Sequence, residues 1–243
     1  MKLSVLALDY DGTIATDAGV DPDVRAAIAQ ARTSGITVLL VTGRILSELR
    51  RVAGDLHFVD GVVAENGGVV HFPDSEHTSV LAPPVAPPLV SGFEAERLSF
   101  RVGQCLIDAD AADGQRLLAV IRRLELPYVL VFNRGRVMVM PQGISKATGL
   151  QTALDMLRLS PRNTLAIGDA ENDHELLRLS ELGAAVKWGS TVLQHAADAV
   201  VAGDSPRDTA AYIRALATTD HVPPPGRARR YLRLGQTEDG REF

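Results

Sequence analysis

Two pairs of aspartates follow apolar segments of the chain and have the chemistry of a divalent-cation site. Asp9 and Asp11 come directly after the apolar run LSVLAL. Asp169 and Asp173 follow a second short apolar run. An isolated aspartate in such a position is usually a turn former or a helix cap. If both runs are strands of one parallel sheet, their carboxyl ends share an edge, and the carboxylates can surround one cation. Oxygen ligands without a cysteine or histidine cluster favour Mg²⁺.

Two further segments suit the binding of a phosphate group. Thr42, Gly43 and Arg44 follow another apolar run, where the threonine hydroxyl and the amides of a following helix can hold phosphoryl oxygens. Lys146 lies at the start of a predicted helix and can add a positive charge. A Thr-Gly turn and a helical lysine are each common by themselves. It is their combination with the aspartate pairs that predicts a phosphate site.

The apolar pattern predicts the elements that position these residues. Short apolar runs alternate with amphipathic helical segments, which is typical of a doubly wound parallel sheet with helices on both faces, a Rossmann-like α/β fold. The first helix is clearly delimited, because Asp21 can cap it, Pro22 suits its first position and Gly35 can end it. Near the end of the chain we predict a helix over 172–182 that stops at Gly183.

The middle of the chain has a different pattern and predicts a small inserted α+β domain. Residues 83–88, PPVAPP, are typical of a stiff extended linker. We then predict a strand over 100–107, a helix over 113–124 and a hairpin that turns at 133–135.

These patterns divide the chain into four segments. We expect a core domain built from residues 1–83 and 143–218, with a cap at 84–142. Residues 219–243 are a Pro-rich and basic linker and tail. Such a segment can be a mobile tail, or it can connect this chain to a fused or docked partner.

Composition and charge exclude several classes of protein. The chain has 243 residues, a net charge of −5 and a pI near 5.7, so nothing indicates a nucleic-acid-binding surface. No apolar segment approaches the roughly 18–20 residues needed to span a bilayer, and the N-terminus does not resemble a signal peptide. The single cysteine, Cys105, excludes an internal disulfide and fits a reducing compartment. We therefore predict a cytoplasmic protein without nucleic-acid or membrane partners, whose oligomeric state the sequence leaves open.

Four motifs in this order resemble the haloacid dehalogenase-like (HAD) phosphatase superfamily. They are DYDGT at 9–13, TGR at 42–44, GISK at 143–146 and GDAEND at 168–173. The insertion between the second and third motifs, together with AENGG at 64–68, resembles the type IIB or Cof-like branch, whose C2B cap follows the third strand. The resemblance covers residues 1–218.

The resemblance implies a Mg²⁺-dependent phosphatase that forms an aspartyl-phosphate. Asp9 would be the nucleophile, and Asp11 would protonate the leaving alcohol and then activate water. Mg²⁺ would be held by the Asp9 carboxylate, by Asp169 and by the backbone carbonyl of Asp11. Asp173 would act directly or through water. The phosphoryl group would be bound by Thr42, Gly43, Lys146 and Asn172.

Other residues are candidates for the remainder of the substrate. Arg44 lies beside the phosphate motif. Glu65 and Asn66 end a predicted strand at the same edge and can either touch the substrate or form an Asn-Gly turn. The cap arginines can reach a second anionic group of a substrate or lie on the surface; they are Arg101, Arg134 and Arg136.

The function that we predict is hydrolysis of a small phosphorylated metabolite, such as a sugar phosphate or phosphoglycolate. One alternative is phosphoryl transfer to another sugar, as in phosphomutases, although the TGR motif departs from the pattern associated with those enzymes. Another is a regulatory module that binds a phosphometabolite and controls a partner through the tail. The intact pair of Asp9 and Asp11 favours an enzyme, because binding alone requires no general acid.

Overall fold

A computed structural model describes residues 2–218, and the predicted tail lies outside them. In chain order the strands are β1 (Val5–Asp9), β2 (Ala15–Thr16), β3 (Gly19–Val20), β4 (Thr37–Val41), β5 (Gly61–Ala64), β6 (Val69–Phe72), β7 (His77–Val80), β8 (Phe100–Val102), β9 (Ile107–Asp110), β10 (Tyr128–Asn133), β11 (Arg136–Pro141), β12 (Thr164–Gly168), β13 (Leu182–Val186) and β14 (Ala199–Val201). The α-helices are α1 (Pro22–Thr33), α2 (Leu46–Ala53), α3 (Pro87–Ala95), α4 (Gly114–Arg123), α5 (Lys146–Leu157), α6 (His174–Leu179), α7 (Thr191–Ala196) and α8 (Thr209–Ala217).

The large sheet has the strand order β14-β13-β12-β1-β4-β5-β6-β7 within the described residues. Strands from β14 to β5 are parallel, and β6 and β7 add antiparallel strands at one edge. In the central pair, Leu8 of β1 lies opposite Ile167 of β12. The ends of these two strands therefore reach the same edge, and they bring Asp9 and Asp169 with them.

Helices cover both faces of this sheet, which confirms the doubly wound α/β prediction. Alternate residues of β1 point to opposite faces: Leu6 and Leu8 pack with α1, α2 and α8, whereas Val5 and Ala7 pack with α5, α6 and α7. The start of α1 is as predicted, because Asp21 accepts a hydrogen bond from the Asp23 amide at 2.8 Å. No helix in residues 2–218 has both the length and the apolar character needed to cross a bilayer.

The small sheet is antiparallel, with the order β10-β11-β9-β8. Its outer face packs against α3 and α4 through residues such as Phe93 and Leu117, and Met138 on its other face packs against Ile45 of the core. These elements all lie between residues 84 and 142, which we propose as the limits of the cap. The core limits 1–83 and 143–218 are part of the same proposal.

The structure corrects two predictions in the cap. The strand predicted over 100–107 is two strands, β8 and β9, joined by a tight turn in which the Gly103 amide donates to the Leu106 carbonyl at 2.8 Å. The predicted extended linker 83–88 is shortened, because α3 already begins at Pro87. Proline is well tolerated in the first turn of a helix, where its missing N–H needs no partner.

The helix predicted over 172–182 was wrong at both ends. Helix α6 covers only His174–Leu179, and Gly183 lies inside β13 instead of ending the helix. A Cβ at Gly183 would lie 2.7 Å from Cβ of Leu177, so glycine here allows the strand to pack closely on α6. The hairpin β2–β3 and the edge strand β7 were not predicted.

Candidate active site

Three aspartates from two strand ends form a buried cluster at the carboxyl edge of the large sheet. Asp9 ends β1, Asp169 follows β12, and Asp173 lies in the short turn after it. One carboxylate oxygen from each lies within 4.8 Å of the others. Oδ2 of Asp169 is buried and forms an ion pair with the guanidinium of Arg134. A buried donor set made only of carboxylate oxygens fits a hard cation such as Mg²⁺.

Lys146 lies between two of these carboxylates. Its Nζ is 2.6 Å from Oδ1 of Asp9 and 2.6 Å from Oδ1 of Asp173, and its side chain is 1% exposed. The lysine is the first residue of α5, a helix that Ser145 and Thr148 begin with a capping box. The helix start therefore fixes the position of the ammonium group.

Burial and repulsion between carboxylates determine the charge state of the cluster. Burial, reinforced by the charge of Asp173, raises the pKa of Asp9 to about 7, although Lys146 acts in the opposite direction. Burial by itself would lower the pKa of Lys146, but the charges of Asp173 and Asp9 raise it above its usual value. The lysine is therefore held in its cationic form, and the pKa of Asp9 lies well above that of an ordinary aspartate.

Backbone contacts hold the aspartates in place. Oδ2 of Asp173 accepts hydrogen bonds from the amides of Asp169 and Ala170, at 3.0 and 3.1 Å. Gly12 has a φ of +78°, and a Cβ there would lie 2.5 Å from Oδ2 of Asp169, so only glycine suits this turn. The indole N–H of Trp188 donates to the Gly12 carbonyl at 2.6 Å. Sequence analysis had assigned no role to this tryptophan, which the end of β13 places against the loop.

Asp11 does not belong to the three-aspartate cluster, and its carboxylate binds Arg44. The guanidinium donates from Nε and Nη2 to the two carboxylate oxygens, at 2.7 and 2.6 Å. The Arg44 amide in turn donates to Oγ1 of the buried Thr42 at 3.1 Å, which ties the TGR loop together. If Asp11 protonates a leaving group, it must exchange this bidentate ion pair for a hydrogen bond to the substrate.

Asp9 and Asp11 face a cleft of about 350 Å³ between the core and the cap. The other core residues that line it are Gly43, Arg44, Ile45 and Glu48. The cap contributes Arg101, Asp108, Asn133, Arg134, Arg136 and Met138. Arg134, in the turn between β10 and β11, forms an ion pair with Asp169 and so connects the cap to the acidic cluster.

Some predicted site residues lie behind this cleft and do not line it. Asn172 donates to the side-chain oxygen of Asn66 at 3.2 Å, and Asn66 lies under Met140 of the cap. The carboxylate of Glu65 is fully buried and accepts hydrogen bonds from the amides of Gln104 and Cys105. Glu65 and Asn66 therefore join the core to the cap. Neither residue lines the substrate cleft.

Comparison with known proteins identifies the class of this protein. The sequence profile of the haloacid dehalogenase-like hydrolases matches residues 6–85 and 90–211. The chain therefore belongs to the haloacid dehalogenase-like hydrolase family.

Relatives in sequence and structure support this assignment. The chain is 31% identical over 206 residues to a phosphoglycolate phosphatase of Natronomonas pharaonis, which covers 80% of this chain and 89% of that one. It is also 31% identical over 227 residues to a phosphoglycolate phosphatase of Halorubrum lacusprofundi, covering 88% and 97%. Among solved structures, a haloacid dehalogenase-like hydrolase from B. subtilis has a TM-score of 0.74 at 18% identity, covering 87% of this chain and 99% of that one. A sugar phosphatase of HAD subclass IIB has a TM-score of 0.70 at 17% identity, covering 88% and 97%.

Proposed function

We propose that this protein is a Mg²⁺-dependent phosphatase that hydrolyses a small phosphorylated metabolite through an aspartyl-phosphate on Asp9. The chain is a phosphatase, as its family and the names of its relatives indicate. The observation that carries the proposal is the position of Asp9, which belongs both to the buried acidic cluster and to the lining of the cleft. It is therefore the group that can meet a cation on one side and a substrate on the other.

The surroundings of Asp9 suit a nucleophile. Lys146 binds Oδ1 and orients the carboxylate, which leaves Oδ2 to attack phosphorus. In that step the Asp9–phosphorus bond forms and the bond from phosphorus to the leaving oxygen breaks. Water then hydrolyses the acyl phosphate, which releases inorganic phosphate and regenerates Asp9.

A Mg²⁺ ion held by Asp9, Asp169, Asp173 and the Asp11 carbonyl would supply positive charge to the phosphoryl oxygens. The residues of the chain perform the remaining tasks. Thr42 and the backbone at Gly43 position the phosphoryl group, and Asn172 supports that loop from behind. Asp11 gives its proton to the leaving alcohol and later takes one from water.

The size of the cleft supports a small substrate. Its volume of about 350 Å³ lies near the lower end of the range for small-molecule sites. The sequence relatives are named phosphoglycolate phosphatases, and one structural relative is a sugar phosphatase. We propose a phosphorylated two- to six-carbon metabolite as the substrate, a cytoplasmic location, and the tail at 219–243 as the attachment point of any fused or docked partner.

The test is phosphate release from a panel of phosphomonoesters with and without Mg²⁺. We expect Mg²⁺-dependent turnover by the wild-type chain and none by Asp9→Asn. Asp155→Asn, on the exposed face of α5, is the matched control and should retain wild-type turnover. A folded protein that releases phosphate from no substrate would overturn the proposal and favour the regulatory alternative, and equal turnover by Asp9→Asn would exclude the assigned nucleophile.

A further inference from the structure

The cap side of the cleft is rich in arginine. Two of the arginines in the cleft lining have partners that belong to the reaction centre: Arg44 binds Asp11, and Arg134 binds Asp169. The other two, Arg101 and Arg136, lie on the cap sheet, in β8 and β11. Both contact one carboxylate, that of Asp108.

The register of the cap strands places these three residues on one face. Arg101 of β8 lies opposite Asp108 of β9, and Asp108 lies opposite Met138 of β11. Arg136 is two residues before Met138, so its side chain leaves the same face of the sheet. Because Met138 lines the cleft, this face is the one directed at the substrate.

Asp108 orients both guanidinium groups. Arg136 donates from Nε to Oδ1 at 3.1 Å and from Nη2 to Oδ2 at 2.6 Å, a bidentate pair. Arg101 donates from Nε to Oδ2 at 3.0 Å. The side chain of Asp108 is only 12% exposed, whereas those of Arg136 and Arg101 are 43% and 47% exposed. A largely buried acid thus holds two accessible cations in the lining of the cleft.

Two carboxylates face these two guanidinium groups, so what distinguishes the arginines is which of their N–H donors remain free. Arg101 gains a second partner, Oε1 of Glu48 on α2, at 2.8 Å. Within the described residues, Nη1 of Arg136 has no hydrogen-bond or ion-pair partner. A planar guanidinium with free N–H donors is suited to a carboxylate or a phosphate, and a neutral hydroxyl satisfies it less well.

We propose that Arg136, aided by Arg101, forms a subsite for a second anionic group at the end of the substrate opposite the transferred phosphoryl group. The inference rests on the proposed phosphatase function and narrows its substrate class to phosphomonoesters that also carry a carboxylate or a second phosphate. Asp108 is a positioning residue in this subsite. A sugar monophosphate carries no charge apart from its phosphoryl group. It meets the same reaction centre but leaves these donors without a charged acceptor.

Matched substrate pairs test the subsite. Phosphoglycolate is compared with 2-hydroxyethyl phosphate, 3-phosphoglycerate with glycerol 3-phosphate, and propane-1,3-diyl bisphosphate with 3-hydroxypropyl phosphate. We expect kcat/KM of the wild-type chain to favour the anionic member on the order of 10- to 100-fold, as a charged hydrogen-bonded pair allows. The first two pairs report on a carboxylate and the third on a phosphate, so they identify which group is preferred.

Variants then connect the preference to the arginines. In Arg136→Gln, the ratio of kcat/KM for the substrate with a second anionic group to kcat/KM for its partner without one should fall towards one. Arg136→Lys keeps the charge but loses the planar guanidinium with its paired N–H donors, and it should give an intermediate ratio. Arg123→Gln on α4, where Arg123 pairs with Glu96 at 2.9 Å, is the control and should retain the wild-type ratio. An unchanged ratio in both Arg136 variants would overturn the assignment of this residue.

The wild-type data separate this inference from the proposed function. Hydrolysis of p-nitrophenyl phosphate with no preference within any pair would overturn the subsite and leave the phosphatase intact. If no monoester is hydrolysed, the proposed function fails, and calorimetric binding of each pair to Asp9→Asn decides the subsite. Tighter binding of the anionic members would support it, and equal binding would overturn it.

Discussion

The carboxylate of Glu65, in the core, accepts a hydrogen bond from the backbone amide of Cys105, in the cap, at 2.9 Å. The neighbouring amide of Gln104 donates to the same side chain at 3.0 Å. Glu65 and Asn66 both have a φ of +52°, which non-glycine residues rarely adopt. This unusual turn directs the carboxylate towards the cap, so that one buried acid of the core is hydrogen-bonded to the cap backbone.

Replacing Glu65 should therefore destabilise the protein without removing a group from the cleft. In Glu65→Ala two backbone amides lose their acceptor, and we expect the free energy of unfolding to fall by about 1–3 kcal/mol. Glu65→Gln retains one acceptor oxygen and should lose less. Urea denaturation measures both changes, with Glu94→Gln on the exposed face of α3 as the control. If Glu65→Ala were as stable as this control, the hydrogen bonds from Glu65 to the cap amides would not stabilise the protein.

Removing the charge of Lys146 should lower the free energy of unfolding more than replacing Glu65 does. In Lys146→Met the buried carboxylates of Asp9 and Asp173 face each other without a cation, and we expect a loss of about 3–5 kcal/mol at neutral pH. The deficit should shrink as the pH falls, because the pKa of Asp9 is raised and its carboxylate can then be protonated. It should also shrink when Mg²⁺ is added. The exposed Lys187 provides the control variant Lys187→Met. A deficit that did not depend on pH would exclude this explanation.

Protons and the cation should compete for Asp9. Burial and the charge of Asp173 raise the pKa of Asp9 to about 7, so the protonated form is populated below that pH and the ionised form above it. Since a cation binds only the ionised form, its apparent affinity should fall as the pH is lowered through this value, by up to about tenfold per pH unit. Trp188 is the single tryptophan of the chain and lies against the Gly12 loop, so its fluorescence can follow a Mg²⁺ titration. An affinity that stayed constant across the neutral range would refute the competition.

Removal of the Asp11 carboxylate should depend on the leaving group. Asp11→Asn cannot protonate a departing alkoxide, and we expect turnover of alkyl phosphates to fall by about 10²- to 10⁴-fold. p-Nitrophenolate leaves without a proton, so the first release of nitrophenolate should be much less affected. Rapid-mixing assays of the two substrate types give this comparison, and Asp155→Asn again provides the control. The same loss in the first turnover of both substrates would argue against a proton donor at Asp11.

Local sequence signals predicted the elements that depend on neighbouring residues. The Asp21 cap and Pro22 begin α1 as expected, because a helix start is decided by side chains within one turn. The prediction of a helix over 172–182 was wrong because the apolar residues from Leu182 onward form a buried strand. The feature that favours a strand over a helix here is the close packing of Gly183 against Leu177, which the sequence does not reveal. A short apolar run fits either element until its neighbours are known.

The sequence by itself determined that the polar ends of apolar strands would meet, since parallel strands must bring their carboxyl ends to one edge. That argument is sufficient to gather Asp9, Asp169 and Asp173, whatever the details of packing. Tertiary structure alone decided the partners: Asp11 on Arg44, Glu65 on the amides of the cap, and Arg101 with Arg136 on Asp108. Such pairs depend on strand register and on how the cap lies over the core, and neither of these has a signal within a few residues of the chain.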